Sequence, residues 1–280
     1  MAILLAVLAS AMVGGADFVG GLTARRSPAA TVVVTSHLSG LALVLVTAPL
    51  VDAEGPTAAE LGWGACGGAA GAIGLVLLYH GLATTRIAVA APAAALTGAI
   101  VPVIFGVLVG ERPEPLAWAG VGLAVPALAL IPSGRGVDGK VLLHSGRALA
   151  IGAAAGVAFG FFGIFLSRTG DGSVLWPLVG ARLASIPAIS LLAFGTRRPL
   201  VAAPPVLWWA LGVGLIDMAA NIVFLAALQR GLLSLVIVIT SLYPGFTILL
   251  ARLVLREDIS RRQAAGLALA AAGVALISVA

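Results

Sequence analysis

Residues 95–113 read Ala-Leu-Thr-Gly-Ala-Ile-Val-Pro-Val-Ile-Phe-Gly-Val-Leu-Val-Gly-Glu-Arg-Pro, and residues 240–258 read Thr-Ser-Leu-Tyr-Pro-Gly-Phe-Thr-Ile-Leu-Leu-Ala-Arg-Leu-Val-Leu-Arg-Glu-Asp. Each is an apolar run carrying proline that stops at a glutamate. An offset of 146 places Glu111 on Glu257, Gly120 on Gly266, Leu123 on Leu269 and Leu130-Ile131 on Leu276-Ile277, with no gap over 45 residues. Nine of the 45 positions are identical, too few to decide alone in so biased a composition. The more telling sign is a glutamate just after the apolar run with glycine nine residues on, in both places. An offset of 143 lays Phe18, Gly20 and Arg25 on Phe161, Gly163 and Arg168. The two halves of the chain read as relatives.

The rest of the chain has the same character. Of 280 residues, 61% are hydrophobic and 10% charged, far below the ~25% charge of a soluble domain. The lipid bilayer is the solvent such a surface fits, and at ~20 residues per span the length holds about ten helices with nothing left over for a soluble module. Catalytic or DNA-binding domains of ordinary size are excluded. The net charge of +5 is scattered between apolar runs, as loop anchors are, so no nucleic-acid partner is implied. One cysteine, Cys66, allows neither an internal disulfide nor a thiolate metal site, and no cofactor or metal motif is present. The apolar start lacks a preceding positive charge and runs into Asp17, so it reads as a first span rather than a cleaved leader.

Windows of about 19 residues place spans near 2–22, 30–51, 61–83, 87–110, 115–132, 148–167, 174–195, 205–228, 232–255 and 263–280. The expected fold is an all-α integral membrane protein with ten transmembrane helices. Its units are a five-helix repeat over 1–132, a Pro- and Gly-bearing connection over 133–147, and a second repeat over 148–280. Because each repeat has an odd number of spans, the second crosses the membrane in the opposite sense. Inverted repeats of this kind recur in secondary transporters, with the substrate site near the midplane between the halves.

The two quoted stretches, with Ala-Gly-Val-Gly-Leu (119–123) and Ala-Gly-Leu-Ala-Leu (265–269), resemble the EamA module of the drug/metabolite transporter superfamily. The resemblance covers nearly the whole chain. It implies a ten-helix carrier of small metabolites, often an exporter of amino acids or related compounds, in a cell (inner) membrane, and it implies that Glu111 and Glu257 are structural helix-end residues. It also implies termini inside. Charge counting gives the reverse: loops one, three, five, seven and nine hold eleven basic residues and the others only Arg112, Arg168 and Arg230, which places the odd loops in the cytoplasm. The second loop, with Asp52, Glu54 and Glu60, is acidic where relatives are commonly basic.

Ionisable groups within spans cost about 2.5–3.5 kcal/mol each on insertion scales, so each needs a partner, water or a function. Asp17 lies late in the first span, with Gly14, Gly20 and Gly21 at helical spacings. It reads as a substrate or proton contact, as half of a packing ion pair, or as an interfacial residue; relatives carry a small polar residue or Asn here. Asp217 is the deepest charge, with Asn221 one turn on. The pair suits an amine or polyhydroxyl solute, and protonation of Asp217 or Asp17 is a candidate means of coupling to protons; the alternative for Asp217 is a buried bridge to Arg182. His37 and Arg182 occupy equivalent positions at an offset of 145. They read as substrate contacts or as internal partners of Asp17 and Asp217.

Pro92 and Pro102 in the fourth span and Pro244 in the ninth are expected to interrupt corresponding helices, the best sequence pointer to a central site. Tyr243 beside Pro244 adds a hydroxyl to the candidate substrate contacts. Tyr79 and His80 read as interfacial, the Gly-x-x-x-Gly pairs of spans three and six as close helix contacts, and Trp63, Trp118, Trp176, Trp208 and Trp209 as membrane-interface anchors.

The leading function is therefore a secondary transporter moving a small polar or amphipathic, amino-acid-like metabolite by alternating access, with efflux favoured over uptake. A monomer suffices, and the partners are the solute, the bilayer and candidate protons. The alternative is an exporter of lipophilic or quaternary ammonium cations, favoured by two membrane acids. An intramembrane enzyme or a membrane scaffold is a remote alternative, since neither His-Glu-x-x-His nor Gly-x-Ser-x-Gly occurs.

Overall fold

The computed structural model describes residues 1–51, 55–84, 87–131, 146–170 and 172–280. Asp52, Glu54, Arg86 and nearly all of the 133–147 connection lie outside the described residues, as does the side chain of Tyr79. The described residues form helices and no strand: α1 Ala2–Ala24, α2 Ala29–Val51, α3 Ala58–Thr84, α4 Ile87–Leu108, α5 Pro115–Leu130, α6 Gly146–Ser167, α7 Leu175–Gly195, α8 Pro204–Leu228, α9 Leu233–Thr240, α10 Tyr243–Leu255 and α11 Arg261–Val279. Helices α9 and α10 are two pieces of one span. Among the described residues nine segments are long and apolar enough to cross a bilayer, and α5, with 16 residues, supplies the tenth span.

Local chemistry sets the helix ends. Pro115 and Pro204 open α5 and α8, where a missing N–H costs nothing. Thr57-Ala58-Ala59-Glu60 is a capping box: the Glu60 carboxylate accepts from the Thr57 N–H at 2.8 Å, and the Thr57 hydroxyl accepts from the Glu60 N–H at 3.2 Å. Helix α3 thus starts three residues before the hydropathy window does. Ser260 and Gln263 form a second box at the start of α11. Gly110 and Arg256, 146 residues apart, both take positive φ just past the quoted apolar runs. Gly110 does so without steric cost, whereas Arg256 adopts a left-handed cap with φ 56°.

The expectation that prolines break both halves is corrected. Only the span containing Pro244 is interrupted, between Thr240 and Tyr243, whereas α4 runs unbroken through Pro92 and Pro102. Pro92, the sixth residue of α4, lies inside the helix and forgoes one backbone bond without breaking it. Pro102 is accommodated because Gly160 of α6 leaves room beside its ring; a Cβ there would stand 3.1 Å from the Pro102 Cδ.

The packing repeats as the sequence does. Helix α3 packs on α6 and α7, while its counterpart α8 packs on α1 and α2; α4 packs on α6, while α9 and α10 pack on α1. The pairs α5–α11, α2–α7 and α4–α9 map onto themselves. Glycines make the crossings close. A Cβ on Gly68 of α3 would collide with the Ala181 carbonyl of α7, and one on Gly214 of α8 would collide with the Ser36 carbonyl of α2. These contacts are images of each other at offsets of 145 and 146. The Gly-x-x-x-Gly pairs behave likewise: Gly64 meets the Pro177 carbonyl, Gly156 meets Ala94 and Thr97, and Gly71 lies against the Phe162 ring. With little side chain between backbones, dispersion contact replaces the hydrophobic drive that lipid cannot supply.

The tryptophans sit near span ends as anchors do. Trp63, Trp118, Trp208 and Trp209 are exposed and Trp176 is partly buried, while His80 is exposed near the end of α3.

Candidate functional site

Asp217 stands one residue past the centre of the 25-residue α8. On its side of the helix, Ala210, Val213, Gly214, Ala220 and Phe224 are all buried, so Asp217 faces the bundle and not the lipid. Its side chain nevertheless keeps 31% of its accessible surface. It is a mid-membrane carboxylate that points inward and stays partly accessible.

Facing it is Arg182 of α7, one of the few buried charged residues among those described. Its guanidinium donates to the Asp217 carboxylate through one terminal nitrogen and to His37 Nε2 of α2 through the other, the latter at 3.1 Å. Arginine has no acceptor, so His37 Nε2 must be the unprotonated nitrogen of a neutral ring. The proton is then on Nδ1, which donates to Ser185 Oγ, 3.1 Å away and nearly one turn beyond Arg182. The Asn221 amide donates back to the Asp217 backbone carbonyl at 2.7 Å, leaving its oxygen available. The Arg182 Nε is buried with no partner among the described residues. The network thus runs Asn221–Asp217–Arg182–His37–Ser185 through three helices.

Asp17 of α1 is exposed, yet the lipid-facing Leu4 and Leu8 lie on the opposite side of its helix. On its own face Ser10 and Gly14 are buried and Gly21 is exposed. This face of α1 is therefore open toward the end of the molecule at which α1 terminates and buried toward the other. Asp17 forms no ion pair with a cation among the described residues. Tyr243 belongs to a neighbouring contact: a Cβ on Gly14 would stand 2.6 Å from its carbonyl, and Thr247 Oγ1 donates to the Gly14 carbonyl at 3.1 Å. Asp17, His37, Arg182, Asp217 and Asn221 thus face the inside of the bundle, whereas Tyr243 meets α1 through its backbone carbonyl.

Ser185 was invisible in the sequence, where a lone serine in an apolar span has many uses; its spacing of three from Arg182 is the one available signal. The ends opposite the opening are tied by further polar groups. Glu60 accepts from the Ser173 N–H at 2.9 Å, and Gln229 donates to the carbonyls of Gly170 and Ser173 at 3.0 and 3.2 Å. Glu111 accepts from the Leu233 and Ser234 N–H groups at 2.6 and 3.0 Å, confirming it as a helix-end residue, although the helix it caps is α9 and not its own. Outside the bundle, a crevice of about 520 Å³ between α2 and α8 is lined by Leu38, Trp208, Leu211 and Leu215 on the far side of α8 from Asp217, and is apolar. The described residues hold no cluster able to ligate a metal ion.

A ten-span, two-repeat bundle with a polar, accessible midplane is the architecture of a multi-pass membrane carrier. The chain belongs to the EamA-like transporter family, whose profile matches residues 1–132 and 146–279. A solved structure described as "Crystal structure of protein" is similar over 99% of this chain and 95% of that one, with a TM-score of 0.75 and 21% identity, a likeness of fold. No curated protein matches. Members of the family are membrane transporters and not enzymes.

Proposed function

We propose that this protein is a secondary carrier of the cell membrane that exports a small, amino-acid-like or amphipathic solute bearing a protonated amine, by alternating access and in exchange for protons. The observation that carries this reading is the charge inventory of the interior. Among the described residues two carboxylates face it, and the nearby cation, Arg182, is already engaged by Asp217 and His37. Asp17 is the uncompensated acid. A bare carboxylate at this depth is costly, and either a proton or an ammonium group relieves it, so the two compete for one place.

The unpartnered Nε of Arg182 favours a zwitterion within this class, because a solute carboxylate supplies the missing acceptor while its ammonium meets Asp17. A lipophilic cation would use Asp17 alone. The test is thermal stabilisation of the purified protein by amines, zwitterions, anions, sugars and quaternary cations at two pH values; a ligand at 100 times its Kd adds about 2.7 kcal/mol to apparent stability. Stabilisation by zwitterions or amines that weakens at lower pH is the expected result. Stabilisation by amine-free anions, unchanged in Asp17→Asn, overturns it.

A further inference from the structure

The carboxylate of Glu111 is the tie across the closed end of the interior, between the loop after α4 and the start of α9. Its two oxygens take the N–H groups of Leu233 and Ser234, the first two residues of α9, which have no partner within their own helix. A negative charge on a helix N-terminus is further favoured by the helix dipole. Gly106 makes room for it: a Cβ at that position would collide with the Glu111 carboxylate.

The repeat gives an internal comparison. At the offset of 146, Glu111 corresponds to Glu257, Gly106 to Arg252, and the start of α9 to the start of α4. Glu257 is exposed, and its carboxylate makes no bond to a described residue, while Arg252 carries a side chain where Gly106 has none and pairs with Asp258 at 3.2 Å. Among the described residues, the tie is therefore built at one end of the molecule only. It is the end away from the opening that exposes Gly21 and Asp17.

A second observation lies beneath the tie. Ser10 and Ser234 are 1% and 0% exposed, and neither hydroxyl has a hydrogen-bond partner among the described residues. Ser10 is on the same face of α1 as Asp17, two turns further toward the closed end, and Ser234 is one of the two residues that Glu111 holds. Unpartnered hydroxyls in a dry interior are unfavourable, and hydration relieves them. They mark polar wall that is shut in this conformation.

Resting on the carrier reading above, we propose that Glu111 is a one-sided latch. It holds α9 closed over the half of the pathway lined by Ser10 and Ser234, and its release is the step that opens that half. Because Glu257 makes no mirror contact among the described residues, the resting carrier is biased toward the conformation closed at the α9 end.

The test uses single cysteines in a Cys66→Ser background and a charged thiol reagent on the purified full-length protein. Ser10→Cys reports the latched half, and Gly21→Cys the open half. With Glu111 present, the Ser10→Cys thiol reacts slowly and the Gly21→Cys thiol fast. In Glu111→Ala, and in the size-preserving Glu111→Gln, the Ser10→Cys rate rises about tenfold or more, the scale of one charge-assisted hydrogen bond lost, while the Gly21→Cys rate falls. An unchanged Ser10→Cys rate in both variants overturns the latch, and so does a rise at both positions, which is general loosening. A thiol at position 10 that ignores Glu111 but responds to an amine in the otherwise unmodified chain refutes the latch and leaves the carrier standing. One that responds to loss of Glu111 and to no solute supports the latch and counts against the carrier.

Discussion

Arg182 and Asp217 are joined by an ion pair although their helices, α7 and α8, scarcely pack against each other. The bond spans a gap and is not the by-product of a tight interface. Helix α2, packed on both, closes one side of that gap and contributes His37 to the same guanidinium.

Breaking this pair from one side leaves a charge stranded. Arg182→Met should destabilise the protein by about 2 kcal/mol, below the 3–5 kcal/mol of a fully buried pair because part of the Asp217 side chain is accessible. Arg182→Met with Asp217→Asn should recover most of the loss, as read by melting in mild detergent. Equal melting points for the single and double variants would show that the pair carries no such coupling.

If Asp17 is the site shared by proton and solute, the apparent affinity for an amine weakens as pH falls, because protonation removes the charge that the ammonium meets. At pH values below its titration the slope approaches about tenfold per pH unit, one proton displaced per solute bound. In Asp17→Asn, residual binding should be independent of pH over the same range. A slope that survives the substitution assigns the proton to another group.

The two glycine crossings should fail alike. Gly68→Ala and Gly214→Ala each drive a methyl into a facing backbone carbonyl and should each lower stability by about 1–3 kcal/mol, the usual cost of overpacking. Gly62→Ala, on the same helix as Gly68 but facing open space, should be neutral or slightly stabilising. Melting curves of the three variants decide the matter, and indifference at position 68 or 214 would contradict the crossing geometry.

The hydrogen-bond directions fix the His37 tautomer. Nitrogen-15 spectra should show a neutral ring with its proton on Nδ1, and Ser185→Ala should broaden or shift that signal by removing the acceptor. A ring protonated on Nε2 at neutral pH would be incompatible with the Arg182 contact.

Span number and repeat structure were legible in the sequence because both rest on the length of apolar runs and on a recurring register, and lipid enforces both. The bridge from Asp217 to Arg182 was open to reading as one of two alternatives, since few partners exist for any charge in such a chain. What escaped was set across helices. Nothing local tells that Ser185 meets His37, or that Glu111 reaches past its own helix to α9. The prolines misled for a similar reason: a Pro-bearing helix breaks or continues according to the neighbour beside it, and beside Pro102 stands Gly160. The start of α3 was legible but missed, because Thr57 and Glu60 spell a cap that hydropathy averaging hides.

The self-paired contacts α5–α11, α2–α7 and α4–α9 have a kinematic consequence. When two inverted halves trade conformations, every contact between them is carried into its image, and most images are different contacts, as α3–α7 is of α2–α8. The three self-paired contacts are fixed points of that exchange. In the alternating access proposed above, they would keep their partners while the others lengthen or shorten, and the line through them would be the one about which the halves turn. The His37–Arg182 and His37–Ser185 bonds, which join α2 to α7, are the polar contacts of the candidate site that span one of these fixed pairs.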